Sequence, residues 1–599
     1  MTERASIATR GYRDTLKLMQ VAMGSRTADL AVTNARVLNV YTGELLENFA
    51  VCVWDQWIAY VGRNPEGILG DETQVIDAEG KTLVPGFIDG HTHMAWLSTA
   101  KAFLEHAMKG GTTTIITETL EPYPVAGLSG VIDFLESMKN QPIKIFATAP
   151  AMVSISRAAK GIPPDDLREL LKRKDIIGLG ESYWQAVLQE PDRFLPALTE
   201  TLRAGKSLEG HTAGARDKKL MAYLAAGISS CHEPIKSEEV LERLRLGLHV
   251  MVREGGIRHD LREISKIKDT GIDLRRLTVV SDGIDPGELI EKGYMDHIVQ
   301  KAIDCGFEPV SAIQMATLNV AEHFNLDHLV GGIAPGRYAD MVLLPDERTI
   351  RSECVISNGK IISKDGKLTV SPRSHTFSQR SLNSIRLSEA VKVEDFSIPA
   401  PHGTSHVRVR VIQMVSDLVT RESVLSVPMT QGKIQADINR DILKVAAVDR
   451  TIFPGKIFVG LLKGFGLKSG ALACSAAWDT TDIIVAGSDD SDMVLAVNRI
   501  RELKGGAVIC KQGRILEELP LPIFGLMSAQ PLHEIDRKLK RITAAARQQG
   551  VPFPNPLLSL ITLTGAAIPF LRICEEGLVD IKEGKTLGLF VSDDPGPCE

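Results

Sequence analysis

The sequence is poor in the features that mark disulfide-rich and nucleic-acid-binding proteins. Its eight cysteines are scattered without a C-x-x-C pair, which argues against a disulfide framework and favours a reducing cytoplasm. The 69 lysines and arginines are outnumbered by 75 aspartates and glutamates, and they form no dense basic stripe. We therefore expect no nucleic acid among the partners of this chain.

Long apolar runs are also lacking. Residues 1–14 mix charges around no apolar core, so a secretory signal is not expected. The most apolar late segment, residues 556–571, is interrupted by serine, threonine, glycine and proline, which predicts a buried helix or loop rather than a membrane span. We expect a soluble cytoplasmic protein without membrane association, divided into three or four units at roughly 150 residues per domain.

The sequence does contain two histidines at the end of a predicted strand. Val84, Phe87 and Ile88 form a short apolar run that leads to His91 and His93. Side chains alternate across a strand, so both imidazoles are predicted to point to one side, where they can bind one metal ion. A pair of this kind also occurs by chance at protein surfaces, so a metal site is indicated only if further ligands are found elsewhere in the chain.

Four later apolar runs also end in acidic or histidine residues. The runs I-I-G-L-G-E, L-E-G-H, G-I-S-S-C-H-E and L-T-V-V-S-D place Glu181, His211, His232 with Glu233, and Asp282 where strands are predicted to stop. Strands and helical stretches alternate about eight times between residues 84 and 324. This alternation predicts a (β/α)8 barrel, a fold whose active site lies at the carboxyl ends of its strands.

The regions on both sides of the predicted barrel are richer in β-structure. The pattern of residues 13–24 predicts a short amphipathic helix with Leu16, Met19, Val21 and Ala22 near its apolar face. Short β-rich runs follow this helix, and similar runs occur again after the barrel. We therefore expect a small β-sandwich into which the barrel is inserted. Residues 372–384 have the polar composition of a linker. The predicted division is 1–82 (helix and first part of the sandwich), 83–330 (barrel), 331–371 (second part of the sandwich) and 385–599 (C-terminal α/β domain).

Imidazole and carboxylate groups at strand ends form a ligand set that suits Zn²⁺, Fe²⁺ or Mn²⁺. Two such ions would activate a water for hydrolysis at an electrophilic carbon. The candidate ligands are His91, His93 and Asp282 for one ion, His211 and His232 for a second, and Glu181 as a bridge between them.

Five residues near these ligands are candidates for further roles. Asp282 is the candidate proton shuttle, since a ligand carboxylate beside the activated water is within hydrogen-bond reach. For Glu233, a role in catalysis or substrate binding and an ion pair within the barrel both remain open. Trp96, Tyr183 and Trp184 follow ligand-bearing strands, where they could stack on a planar substrate or pack the barrel rim.

Taken together, these motifs resemble the amidohydrolase superfamily and, more narrowly, the adenine deaminases. The resemblance is carried by L-V-P-G-F-I-D-G-H-T-H, G-H-T-A-G, V-M-V-R-E-G and, in the C-terminal domain, D-M-V-L-A-V-N-R-I. It implies two divalent metal ions on the six candidate ligands. The implied reaction is the hydrolytic deamination of adenine to hypoxanthine and ammonia.

The chain departs from the family pattern around the proposed site. Met94-Ala95 stand in place of an isoleucine-glutamate pair, and T-E-T-L-E-P replaces a proline-histidine-glutamate motif. Glu118 or Glu121 could take over contacts to the substrate there. In the C-terminal domain W-D-T-T replaces a histidine-aspartate-serine-histidine run. These changes fit either a changed substrate or drift in a working adenine deaminase.

Three hypotheses follow for the function. The first is an adenine deaminase or a close relative that acts on a substituted aminopurine. The second keeps the binuclear site but opens a cyclic amide in a purine-, hydantoin- or lactam-like substrate. The third is an inactive scaffold that binds a partner through its C-terminal domain. Under the first two we expect a small heterocyclic substrate and a homodimer.

Overall fold

The fold was analysed in a computed structural model. It describes residues 11–399, 405–568 and 570–591. The first ten residues, on which much of the expectation about a leader rests, and Cys598 lie outside these ranges. The seven cysteines in the described part are all free thiols, in agreement with the absence of a disulfide framework.

The predicted N-terminal helix is present as Tyr12–Ala22, but a different face of it is buried. Leu18 and Val21 pack into the protein, whereas Leu16 and Met19 are 41% and 55% exposed. Of the four residues predicted for the apolar face, Val21 is buried as predicted, whereas Leu16, Met19 and Ala22 are exposed. The apolar residues of this helix lie on two sides, and periodicity alone does not say which side the neighbouring sheet covers.

Strands from both ends of the barrel join in one nine-stranded sheet within the described residues. Thr82–Pro85, just before the barrel, pairs antiparallel with Met341–Leu344, just after it. The sheet encloses an apolar core of its own, including Val32, Val51 and Ile356. Its strands are Leu30–Asn39, Glu44–Trp54, Trp57–Gly62, Gln74–Asp77, Thr82–Pro85, Met341–Leu344, Cys354–Ser357, Lys360–Lys364 and Lys367–Leu368.

Eight parallel strands form the barrel within residues 83–330, all of which are described. They pair in a group of five and a group of three. Backbone hydrogen bonds connect the groups, from Ser229 to Leu208 (2.9 Å) and from Asp282 to His91 (3.0 Å). The barrel strands are Phe87–Thr92, Thr112–Thr117, Lys144–Ala149, Ile176–Tyr183, Ser207–His211, Ser230–Cys231, His249–Arg253 and Leu277–Val280.

Helices follow the barrel strands and cover them, as the alternating pattern predicts. Most of them bury apolar side chains, such as Phe194 and Leu198 in one helix and Ile298 and Val299 in another. The longer ones are Ala100–Ala107, Pro122–Met138, Pro164–Leu171, Pro191–Arg203, Asp217–Ala225, Ser237–Arg245 and Met295–Asp304, and shorter ones are Trp184–Gln189, Leu261–Ile264, Pro286–Glu291, Pro309–Met315 and Leu318–His323.

The C-terminal domain is built on a largely antiparallel sheet of ten strands in the described residues. A hairpin sheet of Leu571–Cys574, Gly577–Asp580 and Lys585–Leu587 lies beside it, together with helices Asp490–Leu503, Leu532–Gln548 and Pro556–Ile561. The ten strands are Ile398–Pro399, His406–Met414, Thr420–Thr430, Lys433–Ile434, Ile442–Asp449, Ile457–Lys463, Ala471–Cys474, Asp482–Gly487, Gly506–Lys511 and Arg514–Pro520.

The C-terminal domain packs directly on the barrel. Leu97–Ser98, after the first barrel strand, pairs in parallel with Met527–Ser528. The connecting segment 372–384 is fixed to the barrel, because Asp133 accepts hydrogen bonds from His375 (2.8 Å) and from the backbone of Ser378 (2.9 Å). In the part of the chain that the structure describes, no helix combines the length and the apolar character needed to span a bilayer.

Candidate metal centre

The six candidate ligands lie at the carboxyl ends of barrel strands, as expected. His91, Glu181 and His211 are within their strands, and His93 and His232 follow theirs directly. Asp282 lies two residues past Leu277–Val280, with φ 59° in the left-handed region. The side chains of His91 and His93 point to the same side, as the alternation of side chains along a strand predicts.

These side chains form two clusters that share one carboxylate. His91, His93, Glu181 and Asp282 place one ligand atom each within 4.8 Å of one another, and so do Glu181, His211 and His232. Glu181 uses Oε1 toward the first group, at 3.3 Å from His91 Nε2 and 3.0 Å from His93 Nε2. Its Oε2 lies 3.7 Å from His232 Nε2. This is the arrangement expected for a bridging carboxylate.

Glu233 points into the second cluster. Its Oε1 lies 3.0 Å from His211 Nε2 and 3.4 Å from His232 Nε2. The same oxygen accepts a hydrogen bond from Arg253 Nη1 at 2.5 Å, and this guanidinium also lies 3.4 Å from Asp282 Oδ2. The two roles left open for Glu233 are thus not exclusive, since it forms an ion pair and faces the site.

Glu118 and Glu121 contact the two histidines of the H-x-H motif from behind. Glu121 Oε1 lies 2.5 Å from His93 Nδ1, and Glu118 Oε1 lies 3.5 Å from His91 Nδ1. Carboxylates in this position fix the tautomer and orientation of a ligating imidazole. Glu121 also lines the cavity above the centre, whereas Glu118 does not.

The side chains of the centre differ in how their surroundings shift their pKa, and burial together with the charge of His91 lowers the pKa of His232 to about 3. Burial opposes the charge on His91, but the carboxylates of Asp282 and Glu181, 3.2 and 3.3 Å from its Nε2, outweigh it and raise its pKa to about 10. Burial raises the pKa of Glu118 to about 7, and the nearby charge of Glu181 adds to this shift. Burial opposes the charge on Glu233 as well, but Arg253 holds the pKa of this carboxyl at about 2.

A cavity of about 320 Å³ lies above the centre, between the barrel and the C-terminal domain. Tyr183 lines it, and its hydroxyl lies 3.3 Å from both carboxylate oxygens of Asp479. Trp478 stacks on His93, with ring centroids 5.9 Å apart and planes at 16°. Burial raises the pKa of the Asp479 carboxyl to about 7.

Two of the three aromatic candidates lie outside this cavity. Trp96 lines a neighbouring cavity and contacts Trp478 edge to face at 5.6 Å. Trp184 donates a hydrogen bond from its indole to the carbonyl of Ala213 (2.8 Å) and does not line the cavity. Neither side chain therefore lies where it could stack on a substrate in the cavity above the centre.

Arg253, Trp478 and Asp479 line the cavity although they were not among the predicted site residues. The sequence carried a signal for each. Arg253 belongs to the V-M-V-R-E-G motif, and the other two belong to the W-D-T-T departure. What was missing was the docking of the C-terminal domain over the barrel mouth.

The donor set fits divalent transition-metal ions. Each cluster combines imidazole nitrogens with carboxylate oxygens, which Zn²⁺, Fe²⁺ and Mn²⁺ accept. His91 Nε2 is buried and has no hydrogen-bond partner among the described residues. A buried polar atom of this kind calls for a partner, and a metal ion would supply one.

Two protein-family models match this chain. The model of the amidohydrolase family matches residues 82–362, and that of the adenine deaminase C-terminal domain matches residues 417–585. Fold, ligand order and the first of these matches define the class of the protein, which is an amidohydrolase, a hydrolytic enzyme that acts on C–N bonds.

Similar proteins of full length narrow this class. An adenine deaminase from Clostridium botulinum (strain Langeland) is 35% identical to this chain over 96% of the chain and 97% of its own length. One from Moorella thermoacetica is 36% identical over 96% of this chain and 98% of its own length. One from Cenarchaeum symbiosum is 34% identical over 95% of this chain and 94% of its own. The chain belongs to the adenine deaminase family.

Proposed function

We propose that this chain hydrolyses adenine to hypoxanthine and ammonia at a binuclear metal centre. The observation that carries the proposal is the pair of ligand clusters joined by Glu181 at the barrel mouth. The names of its full-length relatives point to the same reaction. The six ligands proposed are His91, His93, Glu181, His211, His232 and Asp282.

The charges of the site support two ions rather than one. Five carboxylates contact the four imidazoles, and Arg253 is the one guanidinium among them. With the imidazoles neutral and the carboxylates ionised, as metal ligation requires, the net charge is about minus four, which two divalent ions balance, since a buried charge needs a partner. The carboxylates are Glu118, Glu121, Glu181, Glu233 and Asp282.

Two side chains would handle the protons of the reaction. Divalent ions in such a site lower the pKa of water and polarise the substrate. Asp282 would take a proton from the attacking water and pass it to the leaving amino group. Arg253 orients Glu233 through the 2.5 Å contact, and Glu233 would hold the amino group as it leaves.

We retain the opening of a cyclic amide as the alternative. Glu118 and Glu121 contact histidines. Fewer polar groups are therefore free to recognise a purine than would be free if these two carboxylates faced the substrate. The centre itself would serve either reaction, since both require attack of water on an electrophilic carbon. Release of ammonia distinguishes deamination from ring opening.

The remaining expectations stay proposals. They are a homodimer, a cytoplasmic location, an absence of nucleic acid among the partners, and the division into units 1–82, 83–330, 331–371 and 385–599. The mass of the purified chain in solution, measured by light scattering, tests the first.

The function is tested by incubating metal-loaded protein with adenine and measuring ammonia and hypoxanthine. We expect equal amounts of both products from the unaltered chain and none from Glu181→Ala. The matched control is Glu288→Ala, at a residue outside the site that pairs with Lys292, and it should retain activity. Failure of the metal-loaded chain on adenine and on substituted aminopurines would contradict deamination.

A further inference from the structure

One wall of the cavity above the centre comes from the C-terminal domain, and it is apolar except for one carboxyl group. Asp479 is the single ionisable side chain of this wall. Its side chain is buried, with the residue 6% exposed. The wall consists of Leu418, Val419, Trp478, Asp479, Ala567 and Ile568.

The two carboxylate oxygens of Asp479 differ in the hydrogen bonds that they accept. Oδ2 accepts a hydrogen bond from the backbone N–H of Ala566 at 2.8 Å. Oδ1 has one hydrogen bond with the described residues, a long one from the Tyr183 hydroxyl at 3.3 Å. The backbone at Asp479 has φ 62°, a left-handed conformation that carries a cost and persists where the surroundings enforce it. Oδ1 therefore keeps capacity to accept from a ligand.

The neighbouring Trp478 defines how a planar molecule would lie. Its ring is nearly parallel to that of His93 and 5.9 Å away, so the wall stands directly beside the candidate ligands. A flat heterocycle that presents one carbon to the centre turns its opposite edge away from the ligands. Asp479 belongs to the surface that such an edge meets.

We propose that Asp479 recognises the substrate by accepting a hydrogen bond from a ring N–H on the edge away from the carbon that is attacked. This inference rests on the proposed function and names its substrate class. The substrate is a free base with an unsubstituted ring N–H. Nucleosides and N-alkylated bases would leave Asp479 Oδ1 with only its long hydrogen bond from Tyr183, and a site built to bind a ring N–H rejects analogues that lack this group.

The test uses the metal-loaded full chain and two readouts. The first is kcat/KM for adenine and for 9-methyladenine. The second is the Kd of hypoxanthine, a non-reacting probe with the same ring N–H, measured by calorimetry. Asp479→Asn keeps the side-chain volume and an acceptor for Ala566. It should lower kcat/KM for adenine and weaken hypoxanthine binding on the order of 100-fold, while values for 9-methyladenine change little.

Asp482→Asn is the matched control. It makes the same change three residues further on, at a buried carboxylate that does not line the cavity. It should leave both readouts as in the unaltered chain. Values for Asp479→Asn within twofold of the unaltered chain would overturn the inference. If this variant does not fold, equal activity of the unaltered chain on adenine and 9-methyladenine overturns it instead.

The two readouts separate this inference from the proposed function. Hypoxanthine binding that depends on Asp479 without release of ammonia from adenine would support the inference and contradict deamination. Turnover of adenine that is insensitive to Asp479→Asn would support deamination and overturn the inference. Absence of both binding and turnover would overturn both.

Discussion

At the scale of single residues, the two histidines of the H-x-H motif differ in how they are supported. His93 has a close carboxylate partner in Glu121 at 2.5 Å, whereas Glu118 lies 3.5 Å from His91. Each carboxylate contacts the imidazole nitrogen that faces away from the ligand cluster. Support of this kind fixes the ring and raises its basicity toward a metal.

We expect Glu121→Gln to weaken metal binding by about 10- to 100-fold, because the glutamine loses the charge that orients His93. Glu118→Gln is the matched variant and should have a smaller effect, since its contact is longer. The metal affinity of both variants, measured by competition with a chelator, tests this prediction. Unchanged affinity in Glu121→Gln would show that this contact does not support the ligand.

The candidate ligands could be predicted from the sequence because each lies where an apolar run stops, and strand ends of a barrel converge. The roles of Glu118 and Glu121 could not, since the strand pattern does not say whether a loop carboxylate turns to the substrate or to an imidazole. Asp479 and Tyr183 are 296 positions apart. Their contact depends on domain docking, which leaves no local signature.

At the scale of secondary-structure elements, the C-terminal sheet contains an unbalanced carboxylate. Asp449 and Asp482 are cross-strand partners at the ends of Ile442–Asp449 and Asp482–Gly487. Both side-chain oxygens of Asp482 are buried, and in the described part of the chain neither has a hydrogen-bond partner of normal geometry. Burial raises the pKa of Asp482 well above its ordinary value, and the charges of Glu575 and Asp449 add to this.

This shift makes the sheet sensitive to pH. A carboxyl group whose pKa is raised by folding binds more protons in the folded state, so stability is full below the unfolded pKa of about 3.9 and falls as pH rises toward the folded pKa. Asp482→Asn removes the titration. We expect its melting temperature to exceed that of the unaltered chain by more at pH 8 than at pH 5.

Thermal unfolding at the two pH values measures this difference. The gain should be larger at pH 8 than at pH 5, because only the carboxyl of the unaltered chain has to bind a proton or bury a charge at the higher pH. A difference that does not depend on pH would contradict a raised pKa at Asp482.

At the scale of the whole molecule, the barrel and the C-terminal domain form one site. Their apolar side chains belong to one continuous core, which includes Phe103 of the barrel and Phe524 and Leu557 of the C-terminal domain. Ser156 of a barrel loop donates a hydrogen bond to Glu575 at 2.9 Å. The domain therefore closes the barrel mouth instead of being tethered beside it.

Removal of metal should consequently destabilise both parts together. A ligand that binds only the folded state adds about 2.7 kcal/mol to the free energy of unfolding when its concentration is 100 times its Kd. We expect a chelator to lower the melting temperature by several degrees, with fluorescence and circular dichroism shifting equally. A shift in one probe alone would show that the two parts unfold independently.

The most direct test of the paired centre is the number of metal ions per chain, measured by elemental analysis alongside ammonia release from adenine. We predict close to two ions in the fully active chain and a loss of both metal and activity in Glu181→Ala. Full activity with one ion, or two ions bound in Glu181→Ala as in the unaltered chain, would contradict a centre bridged by Glu181.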